Sequence, residues 1–393
     1  MKLFDTATQD TTTLSVGSEA LIYVCGITPY DSAHLGHAFT FLTYDLLLRR
    51  LEDTGTRVRL VRNITDVDEP MYVKAAQLGV HYLELARIES AEFSRSMRAL
   101  NLVDPDVEPR PSEHMDVIID SVRQLKQGGH TYEIDGDIYF DISTFPDFGE
   151  ISGYSERLMH GFTTLRGGDP ERMGKRQPLD FLLWKSIKDE SDPARWETTL
   201  GPGRPGWHIE CSAMSFAHLG PTIDVHGGGF DLIFPHHECE NAQSRTLRKD
   251  VPFVRHWMHT APLGLGGEKM SKSLGNLVFV RDLVKETDPA AIRLALMNYH
   301  YRIGGEWKSD LLQSSVQTVE RIKYALNQPT GGDVRQHLAR IRAALDNDLD
   351  APSAARALTE MVDAAVNGSS SVAADTIKEA LNLLGLKIEV ATS

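Results

Sequence analysis

Two cysteines, a histidine and a glutamate are the side chains of this chain best suited to hold a metal ion. They are Cys25, Cys211, His236 and Glu240. His236 and Glu240 are four residues apart in a helical stretch, so they share one face of that helix. We expect Cys25 and Cys211 each to end or follow a core strand beside it. Two thiolates, one imidazole and one carboxylate form a ligand set that suits zinc.

The ligands are scattered along the chain, so a second interpretation stays open: two buried apolar cysteines and a helix-capping histidine. We interpret the neighbours Cys239 and His237 as a small buried side chain and a structural histidine. An open zinc position binds a thiolate, whereas a serine hydroxyl is a far poorer zinc ligand. A zinc site would therefore select cysteine over serine by bond strength, where a shape pocket discriminates poorly. The ligand set therefore predicts a substrate that binds through a thiolate, and cysteine is the amino acid that does so.

A second stretch suited to chemistry runs from an apolar strand, Ala20 to Val24, to His34-Leu-Gly-His37. The chain turns at Gly26 between them and then shows helical apolar spacing. The first turn of a helix offers free N–H groups and a positive dipole end, which bind phosphate. The two histidines can donate to phosphate oxygens. Taken alone, they are equally typical of an ordinary protein surface.

A loop with two lysines, Lys269-Met-Ser-Lys-Ser273, lies far downstream after two glycines. Such a loop suits a pyrophosphate leaving group. The charges of Lys269 and Lys272 would stabilise the negative charge that develops in the transition state. The histidine and lysine motifs, in this order, resemble the core of a class I aminoacyl-tRNA synthetase, which activates a carboxylate with ATP.

These residues need a sheet whose strand ends meet at one edge. Asn63 to Asp68 follows an apolar run, and strand ends are the usual place for ligand loops in an open parallel sheet. After an insertion, we expect the sheet to resume with Arg204 to Met214. Further apolar runs predict strands at Val58 to Val61, Ile223 to His226 and Phe253 to His259.

Helical spacing covers Met71 to Leu102, and Leu83, Ile88, Phe93 and Leu100 are predicted to be buried there. Further helices are predicted at Glu113 to Leu125, Ala339 to Leu349 and Ala351 to Val366, and one apolar helical face is predicted for Leu311, Leu312, Val316, Val319 and Ile322.

Near Gly128 the pattern of apolar residues changes from helical spacing to the alternation of strands. Thr131 to Phe140 alternates around an Asp-Gly turn, which predicts a β-hairpin. Leu179 to Trp184 is expected to pack in a core. We interpret this region as an insertion between two halves of a nucleotide-binding sheet. Thr330 to Asp333 and Asn367 to Ser370 are predicted linkers between the later helices.

Composition sets broad limits on the class of protein. The chain has 393 residues, three cysteines and a formal net charge of −14. That length allows two or three domains with a sizeable core. We find no apolar run long enough for a membrane span and no signal pattern, so we expect a cytoplasmic protein. The net negative charge counts mildly against a nucleic-acid partner. We also expect a monomer.

The chain resembles the cysteinyl-tRNA synthetase family over nearly its whole length, and three motifs are the most specific matches. They are Arg204-Pro-Gly-Trp-His-Ile-Glu-Cys211, Asp231-Leu-Ile-Phe-Pro-His-His-Glu238 and Lys269-Met-Ser-Lys-Ser273. The resemblance implies an α/β fold: a Rossmann-like class I synthetase catalytic core, an inserted α+β connective domain and a C-terminal helical bundle. The expected boundaries are 1–127 and 201–265 for the two halves of the core, 128–200 for the insertion, 266–308 for the lysine-loop and stem-contact region, and 309–393 for the helical domain.

Within that family, the details are similar to the mycothiol-pathway branch. The similar features are Cys25-Gly-Ile-Thr-Pro-Tyr30, His34-Leu-Gly-His37, Asp68-Glu-Pro70 and Arg166-Gly-Gly-Asp-Pro170. That branch joins L-cysteine to the amine of 1D-myo-inosityl 2-amino-2-deoxy-α-D-glucopyranoside, a glucosaminyl-inositol. We find no anticodon-binding domain after the helical segment that includes Asp346 to Pro352, and we expect none in that branch.

The resemblance implies ligation through a cysteinyl-adenylate, which releases pyrophosphate and then AMP. The implied substrates are L-cysteine, ATP with Mg²⁺ and glucosaminyl-inositol, and one Zn²⁺ per chain is the implied metal. His34, His37, Lys269 and Lys272 are the implied catalytic residues. The residues implied to line the adenylate are Cys25, Gly26, Ile27, Thr28, Thr40, Asn63, Ile64, Thr65, Trp207, Gly229, Phe230, Asp231, Leu263 and Lys272.

Several alternatives stay open. Glu240 and Glu268 are expected in the tRNA-charging branch, so three ligands could hold zinc and leave the fourth position to the substrate sulfur. Thr40 and Leu263 could simply pack in the core. The Arg166 to Pro170 loop is assigned to the second-substrate region by resemblance only. The functional alternatives are a short cysteinyl-tRNA synthetase that charges tRNA(Cys) and a catalytically silent, zinc-containing binding or regulatory paralogue.

Overall fold

A computed structural model defines the fold and describes residues 1–30, 32–249, 251–270, 275–327, 334–366 and 373–389. Its strands are β1 (Lys2–Asp5), β2 (Asp10–Thr13), β3 (Glu19–Ile27), β4 (Arg57–Ile64), β5 (Thr131–Ile134), β6 (Asp137–Phe140), β7 (Phe181–Ser186), β8 (Gly203–Pro205), β9 (Val225–Gly229), β10 (Trp257–Thr260), β11 (Leu263–Leu265), β12 (Glu268–Lys269) and β13 (Gly305–Glu306). Its helices are α1 (Leu35–Asp53), α2 (Glu69–Leu78), α3 (Tyr82–Ala99), α4 (Met115–Gln127), α5 (Glu156–Leu165), α6 (Trp207–Leu219), α7 (Glu238–Leu247), α8 (Val280–Glu286), α9 (Pro289–Leu296), α10 (Ser309–Asn327), α11 (Arg335–Asp346), α12 (Ala351–Val366) and α13 (Ala373–Leu384).

The central sheet is parallel, in the strand order β10, β9, β3, β4. Ile22, Tyr23 and Val24 of β3 are almost completely buried. Parallel strands are covered on both faces, which explains why this strand is a continuous apolar run. The predicted strands in β3 and β4 are confirmed, whereas β9 and β10 begin later than predicted, at Val225 and Trp257.

The strand order reverses between β3 and β9. From this pair the chain adds β4 on one side and β10 on the other. In open α/β sheets, ligands bind in the crevice at such a switch point, beyond the carboxyl ends of the strands. Cys25 and Gly26 lie at that end of β3, and the glycines of β9 lie beside them. The topology therefore places Cys25, Gly26 and the glycines of β9 at the carboxyl edge of the sheet, where the sequence predicts the ligand-binding residues.

The prediction that the central sheet resumes with Arg204 to Met214 is wrong. Residues 203–205 form β8, which pairs antiparallel with β7 of the inserted sheet, and α6 follows at once. Ile209, Cys211, Ala213 and Met214 of α6 are all buried. Residues 209–215 of α6 are buried without a break. Such a stretch has no amphipathic pattern, so periodicity alone does not separate it from a buried strand.

The insertion is built on an antiparallel sheet in the order β5, β6, β7, β8. The predicted hairpin is confirmed, with its turn at Asp135 and Gly136. Leu183 and Trp184 are completely buried, as predicted. The antiparallel pairing distinguishes this region from the parallel sheet on which it is inserted.

The long predicted helix over Met71 to Leu102 is two helices, α2 and α3. They are separated at Gly79, whose φ of +67° is a left-handed conformation that ends α2. The predicted burial of Leu83 and Ile88 is wrong, because both lie off the face of α3 that carries its buried residues, and both are exposed. Phe93 and Leu100 are buried as predicted.

The chain after Asp288 is mainly helical, as predicted. α10 to α13 pack against one another, and α11 and α13 also pack against α1. Val319 and Ile322 lie on the buried face of α10. The predicted linkers at Thr330 to Asp333 and Asn367 to Ser370 lie outside the described residues. Among the helices that the structure describes, none has both the length and the apolar character that a membrane crossing requires.

A buried ion pair joins the start of the helical region to the core. The Arg293 Nη2 donates to the Asp45 carboxylate on α1. The Arg293 Nε donates to the carbonyl oxygen of Leu384, the last residue of α13, at 2.7 Å. Both charged side chains are at most 3% exposed. Burial opposes ionisation of Asp45, but Arg293 and Arg49 outweigh it and lower the pKa of that carboxyl. The pair thus fixes α1, α9 and α13 to one another.

Asp45→Ala tests this link, because it leaves the Arg293 charge buried without its carboxylate. Removing one partner of a buried pair costs about 3–5 kcal/mol, and we expect the free energy of unfolding to fall by about that amount in a urea titration followed by circular dichroism. Asp282→Ala is the control, since it removes an exposed carboxylate paired with Lys285 and should leave the urea midpoint unchanged. Equal midpoints for Asp45→Ala and wild type would contradict the assignment.

Candidate metal and nucleotide site

The four predicted metal ligands meet at the switch point of the sheet. One ligand atom from each of Cys25, Cys211, His236 and Glu240 lies within 4.8 Å of the others, and all four side chains are buried. The Cys25 Sγ lies 3.9 Å from the Cys211 Sγ and 3.6 Å from a carboxylate oxygen of Glu240. The His236 Nε2 lies 3.0 Å from the same carboxylate. The donors could hold one metal ion.

Four elements supply these ligands. Cys25 comes from β3, Glu240 from the first turn of α7, and His236 from the wide helical turn over residues 233–237 that precedes α7. Cys211 lies within α6. The prediction that it ends or follows a core strand is therefore wrong, although its predicted position beside the other ligands is confirmed.

Two further histidines, His226 and His237, lie next to this cluster. Cys25 and Glu240 also form a group with His226 and His237, whose ligand atoms again lie within 4.8 Å of one another. The Cys25 Sγ is 3.3 Å from the His237 Nε2 and 3.8 Å from the His226 Nε2. Sequence reasoning gave His237 a structural role and did not single out His226. Both rings are therefore in direct contact with the thiol.

The cluster is strongly polarised. A hydrogen bond from the Cys25 thiol lowers the pKa of Cys211 to about 6, against the opposing effect of burial. Burial would raise the pKa of Glu240, but His226 and His236 outweigh it and lower the pKa to about 2. Burial would lower the pKa of His236, but Glu240 and Cys211 raise it to about 10. Burial and the neighbouring Cys211 and Glu240 raise the pKa of Cys25 well above its usual range. A metal ion that binds here must therefore displace the protons of both Cys25 and His236, since metal ligands bind deprotonated.

Trp207 and His208 cover His236 from the side of α6. The Trp207 ring stacks on the His236 ring at a centroid distance of 4.3 Å. The His208 Nδ1 lies 2.9 Å from the His236 Nδ1. A ligating histidine commonly has its second ring nitrogen held in this way, which fixes the orientation of the ring. Trp207, predicted to pack on the adenylate, thus lies directly beside the metal cluster.

The ends of β3 and β4 form one polar edge. The Gly26 N–H donates to Asn63 Oδ1 at 2.9 Å, and Asn63 Nδ2 donates to Thr65 Oγ1 at 2.9 Å. Thr28 Oγ1 donates to Asp68 at 3.1 Å. A Cβ at Gly26 would lie 1.6 Å from the Asn63 carbonyl oxygen, so only glycine fits there. The predicted group of Cys25, Gly26, Ile27, Thr28, Asn63, Ile64 and Thr65 is therefore contiguous in space.

The other predicted nucleotide residues lie around this edge. Gly229 ends β9, Phe230 and Asp231 follow it, and Phe230 is half exposed. Thr40 Oγ1 donates back to the Gly36 carbonyl of its own helix. Leu263 is buried in the main apolar core, which favours the packing role for it. Its contact with the nucleotide, like that of the other residues, stays a prediction.

The two histidines of the phosphate motif stand at the start of α1. His34 caps the helix, and its Nδ1 accepts from the Gly36 N–H at 3.1 Å. The rings of His34 and His37 stack at 3.8 Å. This arrangement puts both rings at the positive end of the helix dipole, as the prediction requires. For Lys269 the structure describes the backbone alone, in β12, and Lys272 lies outside the described residues.

Glu210 is a buried carboxyl that sequence reasoning passed over. It precedes Cys211 on α6, and within the described structure neither of its carboxyl oxygens has a hydrogen-bond partner. Burial raises its pKa well above the usual range, and the nearby Cys211 and Asp68 raise it further. The one sequence signal that could have indicated Glu210 as a site residue is its position directly before Cys211.

The fold is similar to that of solved aminoacyl-tRNA synthetases. The methionyl-tRNA synthetase of Mycobacterium tuberculosis, solved with methionyl-adenylate, matches with a TM-score of 0.64 at 16% identity and covers 93% of this chain and 88% of that chain. The LeuRS of Agrobacterium radiobacter, solved as a ternary complex with tRNA and LeuAMS, matches with a TM-score of 0.68 at 11% identity over 94% and 84%. At these identities the likeness shows the shared fold.

Sequence comparison narrows the class to a family. The model of the class I (C) tRNA synthetase catalytic domain matches residues 12–317, so the chain belongs to that family. A relative from Thermobifida fusca is 48% identical over 370 residues, which cover 94% of this chain and 89% of that protein. A relative from Streptosporangium roseum is 44% identical over 371 residues, or 94% and 91%. Both are named L-cysteine:1D-myo-inositol 2-amino-2-deoxy-alpha-D-glucopyranoside ligase.

Proposed function

We propose that this enzyme ligates L-cysteine to the amine of 1D-myo-inosityl 2-amino-2-deoxy-α-D-glucopyranoside, using ATP and releasing AMP and pyrophosphate, as a step of mycothiol biosynthesis. The observation that carries the proposal is the identity of 43–48% that named ligases share with this chain over at least 88% of its length. The buried sulfur-containing cluster beside a nucleotide edge agrees with cysteine as the substrate. The enzyme works as a cytoplasmic monomer and takes no nucleic acid.

Cys25, Cys211 and His236 would hold a zinc ion, with Glu240 as fourth ligand. The donor set fits zinc, because two thiols, an imidazole and a carboxylate are buried within 4.8 Å of one another. Bound there, zinc would take the substrate thiolate as a further ligand. The site would therefore select cysteine against serine before any chemistry occurs.

The first step forms the cysteinyl-adenylate. The cysteine carboxylate attacks the α-phosphate of ATP, and pyrophosphate leaves. His34 and His37 at the start of α1 bind the phosphates, and Lys269 and Lys272 stabilise the leaving group, with Mg²⁺ accompanying ATP. Positioning and charge stabilisation supply most of the rate enhancement in such a reaction.

The second step forms the amide. The amine of glucosaminyl-inositol attacks the acyl carbon, and AMP leaves. The adenylate rests on the edge formed by Gly26, Thr28, Asn63 and Thr65, with Trp207 on its cysteinyl side and Gly229 to Asp231 around its ribose and adenine. This arrangement puts the acyl carbon between the metal cluster and the nucleotide loop.

Cys211→Ala and His236→Ala test the metal site. Each change removes a ligand, so we expect most of the bound zinc and the cysteine-dependent ATP–pyrophosphate exchange to be lost. Zinc content is measured by atomic emission on the purified proteins. Cys239→Ala is the matched control, because Cys239 is equally buried on α7 but packs in a separate apolar cluster. Full zinc or full activity in either ligand variant would contradict the site.

A comparison of acceptors tests the reaction itself. With zinc-loaded enzyme, ATP and L-cysteine, we expect AMP release to rise when glucosaminyl-inositol is added and to stay at its basal level with tRNA(Cys). AMP is measured by chromatography. Release with tRNA(Cys) alone would favour a short cysteinyl-tRNA synthetase, and the absence of any cysteine-dependent exchange would favour a catalytically silent paralogue.

A further inference from the structure

Arg166 of the inserted domain contacts the loop after β9, at the end of the site assigned to the nucleotide. Arg166 follows α5, and its Nη2 donates to Oδ2 of Asp231 at 3.2 Å. Asp231 stands just beyond β9, in the loop assigned to the ribose and adenine. The two side chains are 32% and 36% exposed, so the pair lies at the surface of the cleft and not within a core.

The backbone at the end of α5 holds Arg166 in one position. Gly167 has a φ of +82°, and its N–H donates to the Thr164 carbonyl, while the Gly168 N–H donates to the Thr163 carbonyl at 2.9 Å. These two bonds form a Schellman motif, with Arg166 as the C-cap residue. A Cβ at Gly168 would lie 2.5 Å from the Thr163 methyl carbon, so the turn needs glycine. An arginine at this place also faces the negative end of the helix dipole.

The rest of α5 is fixed to the segment that carries a metal ligand. Met159 of α5 packs with Phe234 in a small buried cluster, and Phe162 packs against it. Phe234 lies two residues before His236 and three after Asp231. The helix thus contacts the segment from 231 to 236 at both ends: apolar packing near the metal cluster and an ion pair at the nucleotide loop.

We propose that Arg166 is a positioning residue, which holds the Asp231 carboxylate in place for ATP and so ties the inserted domain to the nucleotide loop. The inference rests on the proposed function, in which Asp231 lies at the ribose of ATP. Without Arg166, the carboxylate gains rotamer freedom that ATP binding must remove. This cost weakens ATP binding.

The test is cysteine-dependent ATP–pyrophosphate exchange with the full-length, zinc-loaded protein. Partly exposed ion pairs contribute a factor of about two to five, so we expect Arg166→Ala to raise the KM for ATP about two- to fivefold with kcat nearly unchanged. Arg166→Lys keeps the charge and should recover part of the loss. Arg157→Ala, an exposed arginine on the same helix, is the matched control and should behave as wild type.

A double-mutant cycle separates positioning from general loss of structure. Asp231→Asn removes the charge that Arg166 pairs with, so adding Arg166→Ala to Asp231→Asn should change the KM for ATP no further. An unchanged KM in Arg166→Ala, or equal effects of that change in both backgrounds, would overturn the inference. Loss of exchange in wild type would instead contradict the proposed function, so the two failures are distinguishable.

Discussion

Everything in the site depends on bringing four polar side chains together where water is excluded. Two thiols, an imidazole and a carboxylate are buried within a few ångströms of one another at the switch point of the sheet. Burying such groups is costly unless they are paired or bound to a metal. Here each group modifies its neighbour: Cys25 stabilises the Cys211 thiolate, and His226 and His236 stabilise the Glu240 carboxylate. A metal ion held by the four ligands would replace the protons of Cys25 and His236.

The surrounding backbone must approach closely for those side chains to converge. A Cβ at Gly206, just before α6, would lie 2.0 Å from the Leu182 carbonyl oxygen. A Cβ at Gly227 of β9 would lie 2.3 Å from the Tyr44 hydroxyl, which bridges α1 to the carbonyl oxygens of Gly228 and Met258. These glycines let α6 start against the inserted sheet and β9 lie against α1. The ligands of α6 and β3 can then meet.

The sequence was sufficient to predict the chemical groups and much of the central sheet. Cys25 follows a continuous apolar run, and His236 and Glu240 share a helical spacing, so both signals are local. The predicted element for Cys211 is wrong, because residues 209–215 of its helix are all buried and so have the composition of a buried strand. His226 was missed for another reason: its place under Cys25 follows from the pairing of β9 with β3, where His226 is in register with Tyr23. No local pattern encodes that pairing.

The most direct test of the account is whether the metal ion contacts the substrate sulfur. Cobalt can replace zinc in protein sites and reports thiolate ligands through its visible and charge-transfer absorption. In cobalt-substituted protein without ATP, we predict that L-cysteine strengthens the thiolate-to-cobalt absorption, whereas L-serine leaves the spectrum unchanged. Identical spectra with both amino acids, or a protein that fails to bind cobalt at all, would contradict the claim that a metal at this cluster selects the amino acid.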